Sequence, residues 1–184
     1  IEEADIDDEQ EDKLEKVLGK QYNLITRDDR LETVAQDIVK HFLGRGFVGK
    51  AMVVSINKAT ALKTHDKVKK HWVSETTRVQ KELGQQNLNA SERANLQKRL
   101  EVLTDTDMAV IVSPAQNEIE KMKKMGLDIE PHRKRMNESQ PGLDEKFKDT
   151  ADPLRLVFVC AMWLTGFDAP SCTYLYIDKS MQDH

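Results

Sequence analysis

The stretch Leu154–Pro170, "LRLVFVCAMWLTGFDAP", joins a continuously apolar run to a short loop that contains a threonine, a glycine and an aspartate. An apolar run without alternation is typical of a strand that is buried on both faces, as in a parallel sheet covered by helices. We place this strand over Arg155–Trp163, and the loop residues of interest are Thr165, Gly166 and Asp168. In open parallel sheets, ligands bind outside the carboxyl ends of the strands, so this loop is a candidate binding element.

Three other segments are predicted to be strands, and the first two of them have the apolar character of buried strands. They are Ala51–Ile56 ("AMVVSI"), Met108–Ser113 ("MAVIVS") and Thr173–Asp178 ("TYLYID"). Helical patterns lie between them, and strands that alternate with helices predict an α/β fold with a mainly parallel sheet covered by helices.

Two helices are predicted around the first of these strands. Apolar residues at helical spacing indicate a helix over Arg27–Leu43, with capping groups from Thr26, Asp28 and Asp29. After the strand, a second helical pattern is predicted to continue to Gln86.

Residues 73–103 are predicted to form a polar helical hairpin. The stretch Asn89–Glu92, "NASE", has the form of a capping box, and the helix that it begins is expected to end near Leu103. Two interpretations stay open, namely an insertion with solvated faces and an arm that contacts DNA or another subunit.

The second half of the chain contains two further helix predictions. Ser113–Gln116, "SPAQ", suggests a cap, a first-turn proline and a reciprocal glutamine for a helix that ends before Gly126. Asp128–Ser139 predicts a short basic helix, and a polar connection then begins at Pro141.

The bulk composition fits one domain of an ordinary soluble protein. The 184 residues carry a net charge of −4, but residues 1–16 hold nine acidic and two basic side chains, so the remainder is mildly basic at +3. No membrane span or signal peptide is recognisable, so a cytoplasmic location is expected. Because the first residue is Ile, we expect a piece of a longer protein. Cys160 and Cys172 are expected to be reduced.

Several common catalytic patterns are missing from the sequence. Gly44–Ala51, "GRGFVGKA", precedes a strand, whereas a phosphate loop must follow one. The histidines lack helical metal-site spacing, so no metal site is expected, and His65 and His71 are predicted to lie on a helix surface. The basic run at residues 132–135, "HRKR", could meet phosphates but is more simply a solvated face.

The loop chemistry at Thr165–Pro170 has two interpretations. A hydroxyl can donate to a phosphate, a glycine lets the backbone approach a ligand, and a carboxylate can accept from a ribose hydroxyl or an arginine. The same residues also suit a turn, in which Gly supplies an unusual backbone angle, Asp binds nearby N–H groups and Pro fixes the exit.

With these elements placed, residues 154–184 resemble the R subunit of type I restriction enzymes, the HsdR family, around motif V of superfamily 2 helicases. A looser similarity includes "DIEPHRKRMN" and "KFKDTADPLRLVFV", and the segment at residues 27–62 resembles the helix and motif IV strand that open a second RecA-like domain. The resemblance implies an acidic segment at 1–23 and a second RecA-like motor domain at 24–184, incomplete at its C-terminus.

The family implies half of an ATP-dependent translocase on double-stranded DNA. By resemblance, Gly166 and Asp168 would border the nucleotide, and Thr165 would lie near a DNA phosphate. The motif IV resemblance nominates a second DNA-facing group, made of Ser55, Asn57 and Lys58.

ATP and Mg²⁺ are the implied cofactors of the parent enzyme, with the phosphate loop and metal ligands outside this chain. The implied partners are the first RecA-like domain and the nuclease domain of the same parent chain, and the methyltransferase and specificity subunits. Without a phosphate loop or an arginine finger, the chain alone is expected not to hydrolyse ATP. The alternatives are a motor half from another superfamily 2 helicase or translocase, and a non-catalytic RecA-like module that docks partner subunits.

Overall fold

The computed structural model describes residues 19, 22–45, 49–164 and 166–179. A short helical segment at residues 22–25 precedes the main elements. The helices are α1 (Asp28–Gly44), α2 (Lys58–Leu83), α3 (Ala90–Asp105), α4 (Glu118–Lys124), α5 (Glu130–Glu138) and α6 (Leu143–Lys148). The strands are β1 (Lys50–Ser55), β2 (Asp107–Ile111), β3 (Leu154–Val159) and β4 (Cys172–Asp178).

The four strands form one parallel sheet in the order β2-β3-β1-β4. Val54 in β1 pairs with Val159 on one side and with Ile177 on the other. All six residues of β1 are buried, as its unbroken apolar character predicted. The predicted α/β fold with a helix-covered parallel sheet is confirmed.

Each face of the sheet has its own apolar core. On the first face, α1, α2 and α3 pack over the strands, with Phe42, Val68 and Phe158 among the buried residues. On the second face, α6 and the loop after β3 cover Met52 and Val157. Both faces of the central strands are thereby removed from water, which explains why their sequences lack polar alternation.

The end of the third strand differs from the prediction. β3 stops at Val159 rather than Trp163, because the chain turns away at Cys160 and Trp163 has a positive φ of 67°. The fourth strand alternates in exposure, with Leu175 and Ile177 exposed, as is common for a strand at the edge of a sheet.

Helix α1 lies where it was predicted, but its predicted caps are wrong. Arg27 occupies the N-cap position, and its side chain makes no capping hydrogen bond. The Thr26 hydroxyl instead donates to the Tyr22 carbonyl at 3.0 Å, inside the preceding turn. Asp28 and Asp29 lie in the first turn, where their charges suit the helix dipole.

The polar hairpin of residues 73–103 consists of the second half of α2 together with α3. Asn89 and Glu92 form the predicted capping box, with both N–O distances at 2.9 Å. Helix α2 ends at Leu83 rather than Gln86, since the Gly84 N–H bonds back to the Gln80 carbonyl and closes the last turn.

The apolar seam between the two hairpin helices is continuous with the first core. Val79 and Leu103 are buried there, and the Trp72 Nε1–H donates to the Leu103 carbonyl at 2.9 Å. The hairpin therefore shares the first apolar core and is not a separately packed unit.

The predicted capping by Ser113–Gln116 is wrong, although the helix ends before Gly126 as predicted. The helix that follows, α4, begins at Glu118 and has Asn117 at its N-cap with a φ of 56°. Arg133 binds the carbonyls of the residues just after β2, which holds this part of the chain extended. The side chain that reaches back is that of Glu118, which accepts from the Ala115 N–H at 3.1 Å.

The polar connection predicted after Pro141 contains helix α6, which the sequence analysis missed. Leu143 and Phe147 are buried and lie four residues apart, on one side of this short helix. Among the described residues, no helix is long and apolar enough to cross a lipid bilayer. The division of the chain at residue 23 stays a prediction, and residues 1–18, 20 and 21 lie outside the described part.

Candidate functional site at the carboxyl edge of the sheet

Ser55, Asn57 and Lys58 lie at the carboxyl end of strand β1, whereas Gly166 and Asp168 lie in the connection that runs from the carboxyl end of the neighbouring strand β3 to the start of β4. Ser55–Lys58 form the turn that leads from β1 into α2, here called the β1 turn. Cys160–Ser171 connect β3 to β4 and are called the β3 loop. The two segments touch, since the Cys160 Sγ lies 3.7 Å from the Ile56 carbonyl oxygen.

The β1 turn is closed by its own hydrogen bonds. The Asn57 Oδ1 accepts from the Thr60 N–H at 2.8 Å and caps α2, and the Asn57 Nδ2 donates to the Tyr22 hydroxyl. Ser55 is fully buried, and only 4% of Lys58 is exposed. In this conformation the turn offers little side-chain surface to a ligand, and DNA binding by these residues stays a prediction.

The β3 loop has an unusual backbone at Gly166. Its φ is 70°, a value that L-residues rarely adopt, and a Cβ added there would meet nothing within 4 Å. The glycine is therefore needed for the backbone angle and not for space. At the exit, the Cys172 N–H donates to the Ala169 carbonyl at 2.9 Å and closes a turn that contains Pro170.

The turn interpretation would have the Asp168 carboxylate accept hydrogen bonds from nearby N–H groups. Its side chain is exposed and makes no hydrogen bond or ion pair with any residue that the structure describes. The carboxylate is consequently available to a ligand. Thr165, the third predicted residue of this loop, lies outside the described residues.

Aromatic stacking holds the β3 loop on the second face of the sheet. The Trp163 and Phe167 rings stack with centroids 4.4 Å apart and planes 14° apart. Both rings lie on Phe147 of α6, with centroid distances of 5.8 Å and 6.4 Å. The Ser171 hydroxyl adds a 2.6 Å hydrogen bond to the Phe147 carbonyl. The Asp168 carboxylate is thus presented from an anchored loop.

A shallow pocket of about 270 Å³ lies beside this aromatic stack, and Met52, Trp163 and Leu175 are among the residues that line it. Sequence reasoning missed the anchor. The sequence signal for the aromatic stack was the pair Trp163 and Phe167, which lie on either side of Gly166.

The basic run at residues 132–135 is not a solvated face, and that prediction is wrong for both arginines. Arg133 makes two contacts with the Glu118 carboxylate, at 2.7 Å and 2.9 Å, and also donates to the carbonyls after β2. Arg135 pairs with Asp107 and donates to the Met108 carbonyl at 2.7 Å. Both guanidinium groups satisfy carboxylates and strand carbonyls, and Lys134 alone of the run is largely exposed.

The prediction that His65 lies on a helix surface is also wrong. His65 is 5% exposed and packs edge-on against Phe158 of β3, with ring centroids 5.3 Å apart. His71, six residues further along α2, is partly buried beside Glu32 of α1.

An ion pair at the end of β4 was not foreseen either. Arg30 of α1 contacts both oxygens of the buried Asp178 carboxylate, at 2.5 Å and 3.1 Å. The pair joins α1 to the carboxyl end of β4, and the Asp178 carboxylate compensates the positive charge of Arg30.

A helix-covered parallel sheet with convergent loops at adjacent strand ends defines this protein as an α/β domain of the RecA-like class. Residues 49–184 match the family described as type I restriction enzyme subunit R domain 3. Because the match covers well over half of the chain, the chain belongs to this family, and the resemblance seen in the sequence is confirmed.

Two relatives support the assignment. The chain is 28% identical over 180 residues to a Methanocaldococcus jannaschii protein named as the MjaIXP endonuclease subunit of a type I restriction enzyme. It is 29% identical over 172 residues to the type I restriction enzyme HindI endonuclease subunit of Haemophilus influenzae. These alignments cover 97% and 92% of this chain but only 14% and 13% of the relatives, so the chain spans about one seventh of their length.

Proposed function

We propose that this chain is the second RecA-like half of an ATP-dependent translocase that moves along double-stranded DNA within a type I restriction enzyme R subunit. The observation that carries the proposal is the contact between the β1 turn and the start of the β3 loop through Cys160 and Ile56, together with Asp168 further along the same loop, which has no partner among the described residues. Two loops that touch at adjacent strand ends can respond together to ligands on either one.

The β3 loop is suited to one side of a nucleotide. An exposed carboxylate at Asp168 can accept hydrogen bonds from ribose hydroxyls or bind an arginine of a facing domain. The open space around Gly166 lets the backbone come close to such a ligand. Its role would be to bind and orient the nucleotide.

Three basic residues near this edge are not free to bind a triphosphate. At this edge, Arg30 and Arg133 are already paired with carboxylates, and Lys58 is buried. We therefore assign the phosphates and the metal to ligands outside this chain, so that ATP and Mg²⁺ are cofactors of the whole R subunit. The chain alone is proposed to be inactive as an ATPase.

The DNA side of the proposal rests on the neighbours of the same loops. Thr165 directly precedes Gly166, and Ser55, Asn57 and Lys58 belong to the adjoining β1 turn. Contacts from such residues would go to phosphates, which position a protein on a duplex without reading its sequence. A shift of the β3 loop on nucleotide binding would then move a DNA contact as well.

The proposed partners follow from the family. The two relatives are named as endonuclease subunits of type I restriction enzymes. We propose that this chain works with a first RecA-like domain and a nuclease domain in the same subunit, and with methyltransferase and specificity subunits. The exposed surfaces of the α2–α3 hairpin are available for such contacts.

The test is DNA-stimulated ATP hydrolysis by the complete R subunit with Asp168→Ala. Because the carboxylate has no partner among the described residues, the variant should keep its stability within about 0.5 kcal/mol. Turnover should fall about tenfold or more, equivalent to about 1.4 kcal/mol of lost transition-state stabilisation.

Asp37→Ala is the matched control, since Asp37 is an exposed aspartate on α1, away from the loops. It should leave turnover unchanged. If Asp168→Ala folds and hydrolyses ATP like the control, the β3 loop is a structural turn and the nucleotide assignment fails.

A further inference from the structure

Two histidines from distant parts of the sequence meet on the first face of the sheet. His65 lies on α2 and His132 on α5, and their rings meet edge to face with centroids 4.8 Å apart and planes 87° apart. The Asp66 carboxylate joins them, with its Oδ1 at 2.9 Å from the His65 Nδ1. Each of the three side chains offers a ligand atom, and these atoms all lie within 4.8 Å of one another.

The cluster lies between the core and solvent. His65 is 5% exposed and His132 is half-buried, so both rings are held by the surrounding structure. Asp66 is 59% exposed at its side chain, so the cluster is open to solvent on one side.

We propose that His65, Asp66 and His132 bind one divalent transition-metal ion, for which Zn²⁺ is the best match. Two imidazole nitrogens and one carboxylate oxygen are a ligand set that zinc accepts, with water or another group at the fourth position.

The geometry needs only a small adjustment. Bonds of about 2.0–2.2 Å in a tetrahedral site place ligand atoms about 3.4 Å apart, so the widest separation must close by about 1.4 Å. Rotation of the exposed Asp66 side chain and of the half-buried His132 can supply this movement.

Such an ion would fasten α5 to α2. Next to His132, Arg133 already holds the carbonyls that follow β2. A metal bridge at His132 would therefore fix the position of the Arg133 backbone and, through it, the end of β2. The role of this ion is structural, because it would hold helix α5 in place against α2 and the end of β2. It is separate from the nucleotide proposed at Asp168.

The experiment is a titration of the metal-free 184-residue chain with Co²⁺, followed by displacement with Zn²⁺. We expect one tight site, visible absorption bands typical of four-coordinate Co²⁺, loss of those bands on adding Zn²⁺, and a rise in Tm with Zn²⁺. The variants are His132→Phe, which keeps an aromatic ring beside His65, and Asp66→Ala on the exposed side. Each should weaken binding about tenfold or more.

His71→Phe is the matched control, because it removes another α2 histidine outside the cluster. It should bind Co²⁺ like the unaltered chain. If the bands are absent from the unaltered chain, or persist unchanged in Asp66→Ala and His132→Phe, the site does not exist as proposed. Should His132→Phe fail to fold by circular dichroism, Asp66→Ala decides the question alone, because an exposed carboxylate can be removed without disturbing the core.

Discussion

The β1 turn and the β3 loop touch where strands β1 and β3 end, yet they use their polar residues in opposite ways. In the β1 turn, the Asn57 amide accepts a hydrogen bond from the Thr60 N–H and donates one to the Tyr22 hydroxyl. In the β3 loop, the Asp168 side chain makes no hydrogen bond or ion pair with a described residue, and apolar rings hold the loop in place.

The difference shows that polar residues at strand ends fall into two kinds. One kind completes the backbone hydrogen bonding of the fold, as a helix cap does. The other kind makes no hydrogen bond within the described fold, and apolar neighbours in the chain hold it in position. The second kind is the better candidate for ligand binding, because its hydrogen-bonding capacity is still available.

The largest expected effect comes from removing the anchor of the β3 loop with Phe147→Ala. Phe147 is fully buried beneath Trp163 and Phe167, so its loss should lower the free energy of unfolding by about 3–5 kcal/mol. Urea unfolding measures the change, and hydrogen exchange should rise more in the β3 loop than in the β1 turn.

Phe147→Leu is the control for that experiment. It keeps an apolar side chain of similar size and should cost about 1.5 kcal/mol or less. Equal protection of the two segments in Phe147→Ala would mean that the aromatic stack is not what holds the loop.

A smaller effect is expected when the β1 turn loses its cap in Asn57→Ala. The Thr60 N–H would lose its acceptor, at a cost of about 1–2 kcal/mol in thermal or urea unfolding. Asn57→Asp keeps an oxygen at the capping position and should restore most of the stability. A loss below about 0.5 kcal/mol in the alanine variant would remove the distinction drawn between the two segments.

The smallest effect is expected for Gly166→Ala in the β3 loop. A Cβ at a φ of 70° costs about 1 kcal/mol even where space is free. Gly44→Ala is matched to it, since Gly44 also has nothing within 4 Å of its would-be Cβ but lacks the positive φ. That control should be neutral or slightly stabilising in the same unfolding assay, and equal costs at both glycines would contradict the backbone argument.

Patterns that depend on local chemistry were predictable from the sequence. The unbroken apolar character of β1 and β3 indicated strands buried on both faces, and the structure buries them so. The capping box at Asn89 needs residues only three positions apart, and it formed as predicted. Helix α6 was missed because six residues give only one pair of apolar positions, Leu143 and Phe147, on which to recognise a helix.

Features that depend on tertiary neighbours were not predictable. The meeting of His65 with His132, and of Arg133 with Glu118, follows from how α5 packs beside α2 and β2. Spacing along the chain contains no information about that packing. For the same reason the sequence identified Asp168 as a candidate, but it could not tell that Asp168 is exposed while Lys58 is buried.

Because β1 lies between β3 and β4, it cannot pair in the sheet until both of these later strands have been synthesised. Val54 finds its sheet partners only at Val159 and Ile177, more than one hundred residues later in the chain. At about 5–20 residues per second, roughly 5–25 s pass between synthesis of β1 and that of its neighbours. During that time both edges of the apolar β1 segment lack their sheet partners, and such unpaired edges favour association with other chains.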